Sequence, residues 1–228
     1  MVSILYIMHM TITVAQLTNE IMIHDQNLML PPEWHTPALA TCIPFADNMM
    51  ESCMLYEKRG AINIEKAKHD TLTGKYAEIC ALYVFNKHFG FPSLNLDVEI
   101  REGKSKGWEC DLPFNDIDKA FPNVHVKNCT KQTYTLFKQL TWTFNIKNEN
   151  GIGGTDVLFT DGHDHELVAL MYVPDLESGK FYIAATAPWG VIKYYLRDPI
   201  AKRFKGTKSC LYFDDLIHIK KQQIYGPF

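Results

Sequence analysis

Three polar residues whose side chains bind metals or move protons lie in two neighbouring stretches with the alternation of β-strands. The stretches are WECDLP (108–113) and NVHVKNC (123–129), and the residues are Asp111, His125 and Lys127. Side chains on a strand point alternately to its two faces, and a hairpin brings those of its two strands together. The pattern therefore predicts that the three side chains share one face of an antiparallel pair.

An acidic residue in an upstream helical segment is expected to reach the same face. Glu78 lies in GKYAEICALYVFNKHFG (74–90), and its neighbours three and four residues on are Ala81 and Leu82. A carboxylate on an apolar helix face is costly unless it is paired or binds a metal ion. If this helix packs on the hairpin, Glu78 converges with the three strand residues.

Such a set of side chains suits metal-assisted cleavage of a phosphodiester. Two carboxylates and a backbone carbonyl supply the oxygen ligands that Mg²⁺ prefers. The cation polarises the phosphate and activates a water, and a lysine beside it orients that water or stabilises the growing charge. The alternative interpretation is a solvated hairpin face, which leaves the apolar setting of Glu78 unexplained.

The order of the elements, a helix with an acid, a strand, a strand with Asp and a strand with xXK, resembles the PD-(D/E)XK nuclease superfamily. The resemblance covers residues 71–129. It implies a restriction-endonuclease-like core, an α/β fold with a mixed, mostly antiparallel central sheet flanked by helices. It implies that Glu78 and Asp111 bind the metal with the Val126 carbonyl, that Lys127 is the catalytic lysine, and that the cofactor is Mg²⁺ or Mn²⁺.

His125 departs from the family pattern, because it stands where the family usually has Glu or Asp. Three interpretations stay open. The imidazole binds the metal directly, which favours Mn²⁺ or Co²⁺ over Mg²⁺; it hydrogen-bonds the attacking water; or the site is degenerate. Glu99 and Glu109 are further carboxylates that could take over a ligand role.

The leading functional hypothesis is a divalent-metal-dependent endonuclease that hydrolyses double-stranded DNA, of the restriction or phage/homing type. Cutting both strands usually takes two active sites, so a homodimer is expected. One alternative is a non-catalytic DNA-binding or assembly protein on a degenerate nuclease scaffold, which the atypical His125 favours. Another is an RNA or DNA-repair nuclease of the same fold.

DNA contacts are expected from local basic patches, because the formal net charge of −3 gives no global basic signature. The densest basic stretch is AKRFKGTK (201–208). A loop of this kind can grip phosphates, although a plain solvated surface accounts for the same residues. The residues predicted to bind nucleic acid are Lys131, Lys138, Lys202, Arg203, Lys205 and Lys208.

A second metal hypothesis comes from TDGHDHE (160–166), where His163 and His165 stand two residues apart. Asp161-Gly162 is a hairpin turn signal, so a tight turn is the favoured interpretation.

The chain is predicted to be a single nuclease-like domain over 1–228, with its core at about 64–147 and with extensions for target contacts or dimerisation. The prolines of LPPEWHTP (30–37) predict a loop. Helices are predicted at about 14–22, 46–59, 71–90 and 188–196, and strands at 95–101, 108–112, 123–129, 134–137, 141–145, 155–160, 166–173, 180–186 and 209–213. The interpretation of 214–228 stays open.

Six scattered cysteines without a CxxC pair favour reduced core thiols in a cytoplasmic protein. The apolar N-terminal stretch MVSILYIMHM is too short to span a bilayer and lacks the features of a signal peptide. It is expected to be a buried strand, or residues upstream of a start at Met8 or Met10. The expected location is the cytoplasm of a bacterial or phage-infected host cell, without a membrane partner.

Overall fold

A computed structural model describes residues 20–51, 63–90, 94–98, 110–113, 122–146 and 155–225 of the chain. The strands are β1 (Met22–Met29), β2 (Val124–Cys129), β3 (Thr141–Asn145), β4 (Leu167–Tyr172), β5 (Lys180–Pro188) and β6 (Lys208–Tyr212). The helices are α1 (Pro32–Glu51), α2 (Ile64–Lys87), α3 (Lys131–Phe137), α4 (Trp189–Ile192) and α5 (Phe213–Tyr225). Short 3₁₀ turns lie at Val157–Phe159, Lys193–Tyr195 and Lys202–Phe204.

A mixed four-stranded sheet with the order β1-β5-β4-β2 forms the centre of the fold. β1 and β4 each pair with β5 in antiparallel fashion, while β2 and β4 are parallel. β3 and β6 make a separate antiparallel pair. Helices flank the sheet, so the predicted α/β class with a mixed central sheet is confirmed. The sheet also draws β1, β4 and β5 from outside the predicted core at 64–147.

Two short extended segments continue the sheet beyond β2. Leu112 forms an antiparallel bridge with Val124, through backbone bonds of 2.9 and 3.2 Å. The amide of Asp97 donates to the carbonyl of Asp111 at 3.3 Å, which places segment 94–98 beside segment 110–113. The described parts of the three runs therefore follow one another as the predicted antiparallel meander.

The two faces of β2 belong to different parts of the core. Val124 and Val126 pack in the cluster that α2 covers, together with Tyr76 and Phe85. Cys129 packs on the opposite face, in the cluster built around Trp142 and Trp189. Because side chains alternate along a strand, His125 and Lys127 point to the face away from α2. This division determines which polar groups can meet at the site.

The predicted loop at 30–37 is wrong, because α1 runs through it. Pro32 stands at the first helical position, where a backbone N–H would make no hydrogen bond within the helix. The lack of this N–H in proline therefore costs nothing there. Pro37 and Pro44 lie inside the helix. α1 begins well before the predicted 46–59, and the residues that follow Glu51 lie outside the described part.

α2 begins earlier than predicted, at Ile64 rather than at Thr71 or Thr73. Asn63 caps it, since its side chain accepts from the amide of Lys66 at 2.9 Å. The helix then runs without interruption to Lys87.

Two predicted strands are other structures. Segment 134–137 belongs to α3, because the Thr130 side chain accepts from the amide of Thr133 and starts a helix there. Segment 155–160 forms a 3₁₀ turn capped by Asp156. The remaining strands from 123 to 213 are observed, and the open segment after 213 begins with α5.

Several predictions concern residues outside the described part, among them the N-terminal stretch, most of the helix at about 14–22, Cys53, Glu99 and Glu109. The described end of that predicted helix is not helical, because Met22 begins β1. The cysteines that the structure describes are all free, and four of the five are buried. Trp142 and Trp189 are buried core residues. Among the described helices, none combines the length and apolarity that crossing a bilayer requires.

The edge strand β1 carries a histidine whose charge opposes folding. His24 Nε2 lies 2.9 Å from Thr186 Oγ1, and burial lowers the pKa of His24 from 6.5 to about 4. As the pH falls below 6.5, the unfolded chain therefore takes up the proton first. The stabilisation by neutral His24 is complete above this pH and is lost as the pH falls towards 4.

We expect His24→Gln to reduce the fall in unfolding free energy between pH 7 and pH 4.5 by about 1–2 kcal/mol. Urea denaturation at several pH values measures this difference. His69→Gln is the control, because His69 is exposed and should keep the wild-type slope. Equal slopes for wild type and His24→Gln would contradict the assignment.

Candidate metal sites on the two faces of β2

The first candidate site, here called the carboxylate cluster, consists of Lys75, Glu78 and Asp111. Glu78 and Lys75 stand one turn apart on α2, and the Lys75 ammonium lies 2.5 Å from Glu78 Oε2. The same ammonium donates to the carbonyl of Asp97 at 2.6 Å. Asp111 Oδ2 accepts from the backbone amide of Val126 at 2.7 Å. The cluster therefore joins α2 to the meander at the β2 edge.

The electrostatics of this cluster are unfavourable for a charged Glu78. Burial raises the pKa of Glu78 well above its usual value, and the negative charge of Asp111 raises it further. The Lys75 ammonium acts in the opposite direction without cancelling these effects. Two carboxylates near one another in a desolvated place favour an additional cation between them.

Asp111 lies near enough to Glu78 for its charge to raise the pKa of Glu78, whereas His125 and Lys127 point to the other face of β2. The Lys127 ammonium lies 2.5 Å from Asp156 Oδ2 and 5.4 Å from the centre of the Phe144 ring. Both partners lie on the face of β2 away from α2. Lys75, which the sequence pattern did not single out, is the lysine that contacts the Glu78 carboxylate.

The second candidate site, here called the histidine cluster, consists of His125, His163 and Glu166. His125 Nε2 lies 2.7 Å from Glu166 Oε2, and His163 Nδ1 lies 2.5 Å from the same oxygen. One ligand atom from each residue lies within 4.8 Å of the others. His125 and Glu166 are buried, at 3% and 5% exposure. The imidazole at the atypical motif position thus belongs to this cluster.

Glu166 is held as a charged group. Its burial acts to raise its pKa, but hydrogen bonds from His125, His163 and Asn123 outweigh burial and lower the pKa of Glu166 to about 2. Asn123 Nδ2 donates to the other carboxylate oxygen at 3.0 Å. The carboxylate is therefore fixed in orientation from both sides.

The segment that carries His163 and Glu166 is a turn anchored by backbone bonds. Gly162 takes a φ of +97°, as the predicted turn requires. The carbonyl of Glu166 accepts from the amide of Trp189 at 2.8 Å, and the carbonyl of Asp164 accepts from the amide of Gly190 at 2.9 Å. The residue grouped with His163 is Glu166, three positions on, whereas His165 is exposed.

The predicted nucleic-acid contacts come from two neighbouring elements. Phe137 in α3 and Phe204 in the 202–204 turn pack near each other, with ring centres 6.5 Å apart. This contact makes the two basic segments neighbours, and Lys205 is paired there with Asp198 at 3.7 Å. The exposed members are Lys131, Lys138, Lys202, Arg203 and Lys205. Lys208 is half-buried and donates to Asn145 Oδ1 at 3.0 Å.

The close contact between α4 and the turn yields a stability prediction. A Cβ added at Gly190 would lie 2.9 Å from the carbonyl oxygen of Asp164. We expect Gly190→Ala to displace the turn and to lower the unfolding free energy by about 1–3 kcal/mol. Gly74→Ala is the matched control, since an added Cβ there meets nothing within 4 Å.

Gly74 lies inside α2, so its replacement by alanine should raise the unfolding free energy by about 0.5–1 kcal/mol. Urea denaturation of both variants measures the two effects. Equal stability of Gly190→Ala and wild type would show that the turn adapts without cost.

Comparisons with models of protein families, with curated proteins and with solved structures gave no match. The resemblance to PD-(D/E)XK nucleases therefore rests on the residue pattern and on the order of the elements.

Proposed function

We propose that this protein is a divalent-metal-dependent endonuclease of the PD-(D/E)XK type that acts on double-stranded DNA. The observation that carries the proposal is the pair formed by Glu78 and Asp111, in which burial and like charge raise the pKa of Glu78. Glu78 is the desolvated member of this pair, and carboxylates with perturbed pKa values cluster at functional sites.

The two carboxylates fit a hard divalent cation such as Mg²⁺ or Mn²⁺. Their donor atoms are oxygens, and a cation between them would remove the repulsion that raises the pKa of Glu78. Asp111 is half-exposed, so the cluster reaches the surface there. When bound, the cation would polarise a phosphodiester and activate a water for attack. Asp111 is already oriented by the amide of Val126.

Lys75 takes the place that the motif assigned to Lys127. Its ammonium is held by Glu78 and by the carbonyl of Asp97, so it is fixed beside the carboxylates. A fixed cation in a place with little water stabilises the negative charge that grows on a phosphate during hydrolysis. Lys127 instead neutralises Asp156 on the other face of β2.

Double-stranded DNA is proposed as the substrate because exposed basic residues lie on and beside two neighbouring elements, α3 and the 202–204 turn. Lysine and arginine side chains on such a surface bind phosphates without reading sequence. Two copies of the chain would place one site on each strand, which supports the homodimer as part of the proposal.

The second candidate function is a non-catalytic DNA-binding or assembly protein on the same scaffold. It is favoured by the Lys75–Glu78 ion pair, which partly satisfies the buried carboxylate without a metal. This alternative keeps the basic surface and predicts DNA binding without cleavage.

A cleavage assay on plasmid DNA with Mg²⁺ or Mn²⁺ separates the two functions. We expect Asp111→Asn and Lys75→Met each to reduce the cleavage rate by about 10²–10⁴-fold, because the first weakens metal binding and the second removes the cation that stabilises the phosphate charge. Lys66→Met is the matched control, since Lys66 lies on the same helix but is exposed. Its rate should stay within a few-fold of wild type.

Lys127→Met discriminates between the two lysines. We expect it to cleave within about 10-fold of wild type once its thermal stability is shown to suffice, since its ammonium pairs with Asp156. Loss of cleavage in Lys127→Met with full activity in Lys75→Met would identify Lys127, the lysine of the motif, as the catalytic lysine instead of Lys75. No metal-dependent cleavage by the wild type, with retained DNA binding, would favour the non-catalytic protein.

A further inference from the structure

The histidine cluster has a donor set that differs from the carboxylate cluster. It offers two imidazole nitrogens and one carboxylate oxygen, from three side chains whose ligand atoms lie within 4.8 Å of one another. Imidazole is a softer ligand than a carboxylate, and two histidines with one glutamate form a known zinc-binding set. The cluster therefore suits a transition metal, whereas an all-oxygen pair suits Mg²⁺.

Both imidazoles point at the same oxygen of Glu166. His125 Nε2 approaches it to 2.7 Å and His163 Nδ1 to 2.5 Å. A tetrahedral ion with bonds of about 2.0–2.2 Å separates its ligand atoms by roughly 3.3 Å. To receive an ion, the two nitrogen–oxygen separations must therefore widen by less than about 1 Å, while the two imidazole nitrogens, which lie within 4.8 Å of each other, settle at a similar spacing.

The groups around the cluster already hold its members in place. Asn123 donates to the second oxygen of Glu166 at 3.0 Å, and such a partner orients a metal-binding carboxylate. The amide of Leu167 donates to the carbonyl of Asn123 at 2.9 Å, which fixes Glu166 beside the start of β2. His125 itself is fixed in β2 by pairing with Val168.

We propose that His125, His163 and Glu166 bind one Zn²⁺-class ion that fastens the turn at 160–166 to β2. We assign the ion a structural role because it would join two segments 41 residues apart in the chain, with a water completing the coordination that three side chains leave open. The site is independent of the proposed nuclease site, since it lies on the face of β2 away from α2. It binds metal whether or not the protein cleaves DNA.

The test uses the full chain, stripped of metal with a chelator and then titrated with Zn²⁺ or Co²⁺. We expect one equivalent of Zn²⁺ per chain, a rise of several degrees in the melting temperature, and a visible Co²⁺ spectrum with nitrogen ligands. His163→Ala should weaken Zn²⁺ binding at least about 100-fold and abolish the rise. His163 is only half-buried, so this variant is expected to fold, which circular dichroism checks.

His165→Ala is the matched control, because it removes an exposed histidine from the same turn and should bind Zn²⁺ like wild type. The Zn²⁺ equivalent that depends on His163 should remain in Asp111→Asn, which separates this site from the carboxylate cluster. Glu166→Gln provides a second loss-of-binding variant if His163→Ala fails to fold. The proposal is overturned if the wild type binds no Zn²⁺, if His163→Ala and Glu166→Gln bind as tightly as wild type, or if His165→Ala loses binding equally.

Discussion

The alternation of side chains along β2 is the constraint on which the arrangement of polar groups depends. β2 is covered on both faces, by α2 on one side and by the cluster around Trp142 and Trp189 on the other. Each polar side chain on it must therefore find its partner on its own face. On the face away from α2, His125 contacts Glu166 and Lys127 contacts Asp156. The other face carries two valines and Asn128, whose side chain donates to the carbonyl of Thr73 in α2. The histidine cluster and the carboxylate cluster therefore lie on different sides of one six-residue strand.

The same constraint explains why α2 supplies both an acid and a base to the carboxylate cluster. No lysine of β2 can reach Glu78 from the opposite face, and an unpaired buried carboxylate would cost several kcal/mol, of order 3–5. Lys75, one helical turn before Glu78, supplies the opposite charge at the smallest distance along the chain. The ion pair makes the burial of Glu78 tolerable but leaves its pKa raised. The cluster thus keeps a preference for further positive charge.

The sequence allowed prediction of the central elements but not of their relative faces. The alternation of NVHVKNC correctly predicted β2, and the turn residues of TDGHDHE correctly predicted the turn at Gly162. Periodicity shows which residues share a face of one strand, but it does not show which face a helix covers. Glu78 was therefore expected to meet Lys127 of β2, whereas it pairs with Lys75 of its own helix.

Other differences have local physical causes. The first part of α1, before the predicted helix at 46–59, was missed because prolines were taken as helix breakers, although Pro32 at the first helical position carries no penalty. Helix α3 was taken for a strand because its β-branched and aromatic residues favour strands, whereas the capping bond of Thr130 decides the outcome. The histidine cluster joins residues 41 positions apart, so spacing alone pointed to His165 instead of Glu166. Only the parallel pairing of β2 with β4 brings these residues together.

The backbone bonds from Trp189 and Gly190 to the turn at 160–166 join the end of β5 to the entry of β4. Trp189 is also buried against Phe144 and Phe159, with ring centres 5.3 and 5.0 Å away. The turn at 160–166, the end of β5 and the start of α4 are thereby held together as a single cooperative unit. Their amide hydrogens should exchange with solvent in one concerted opening rather than as separate local events.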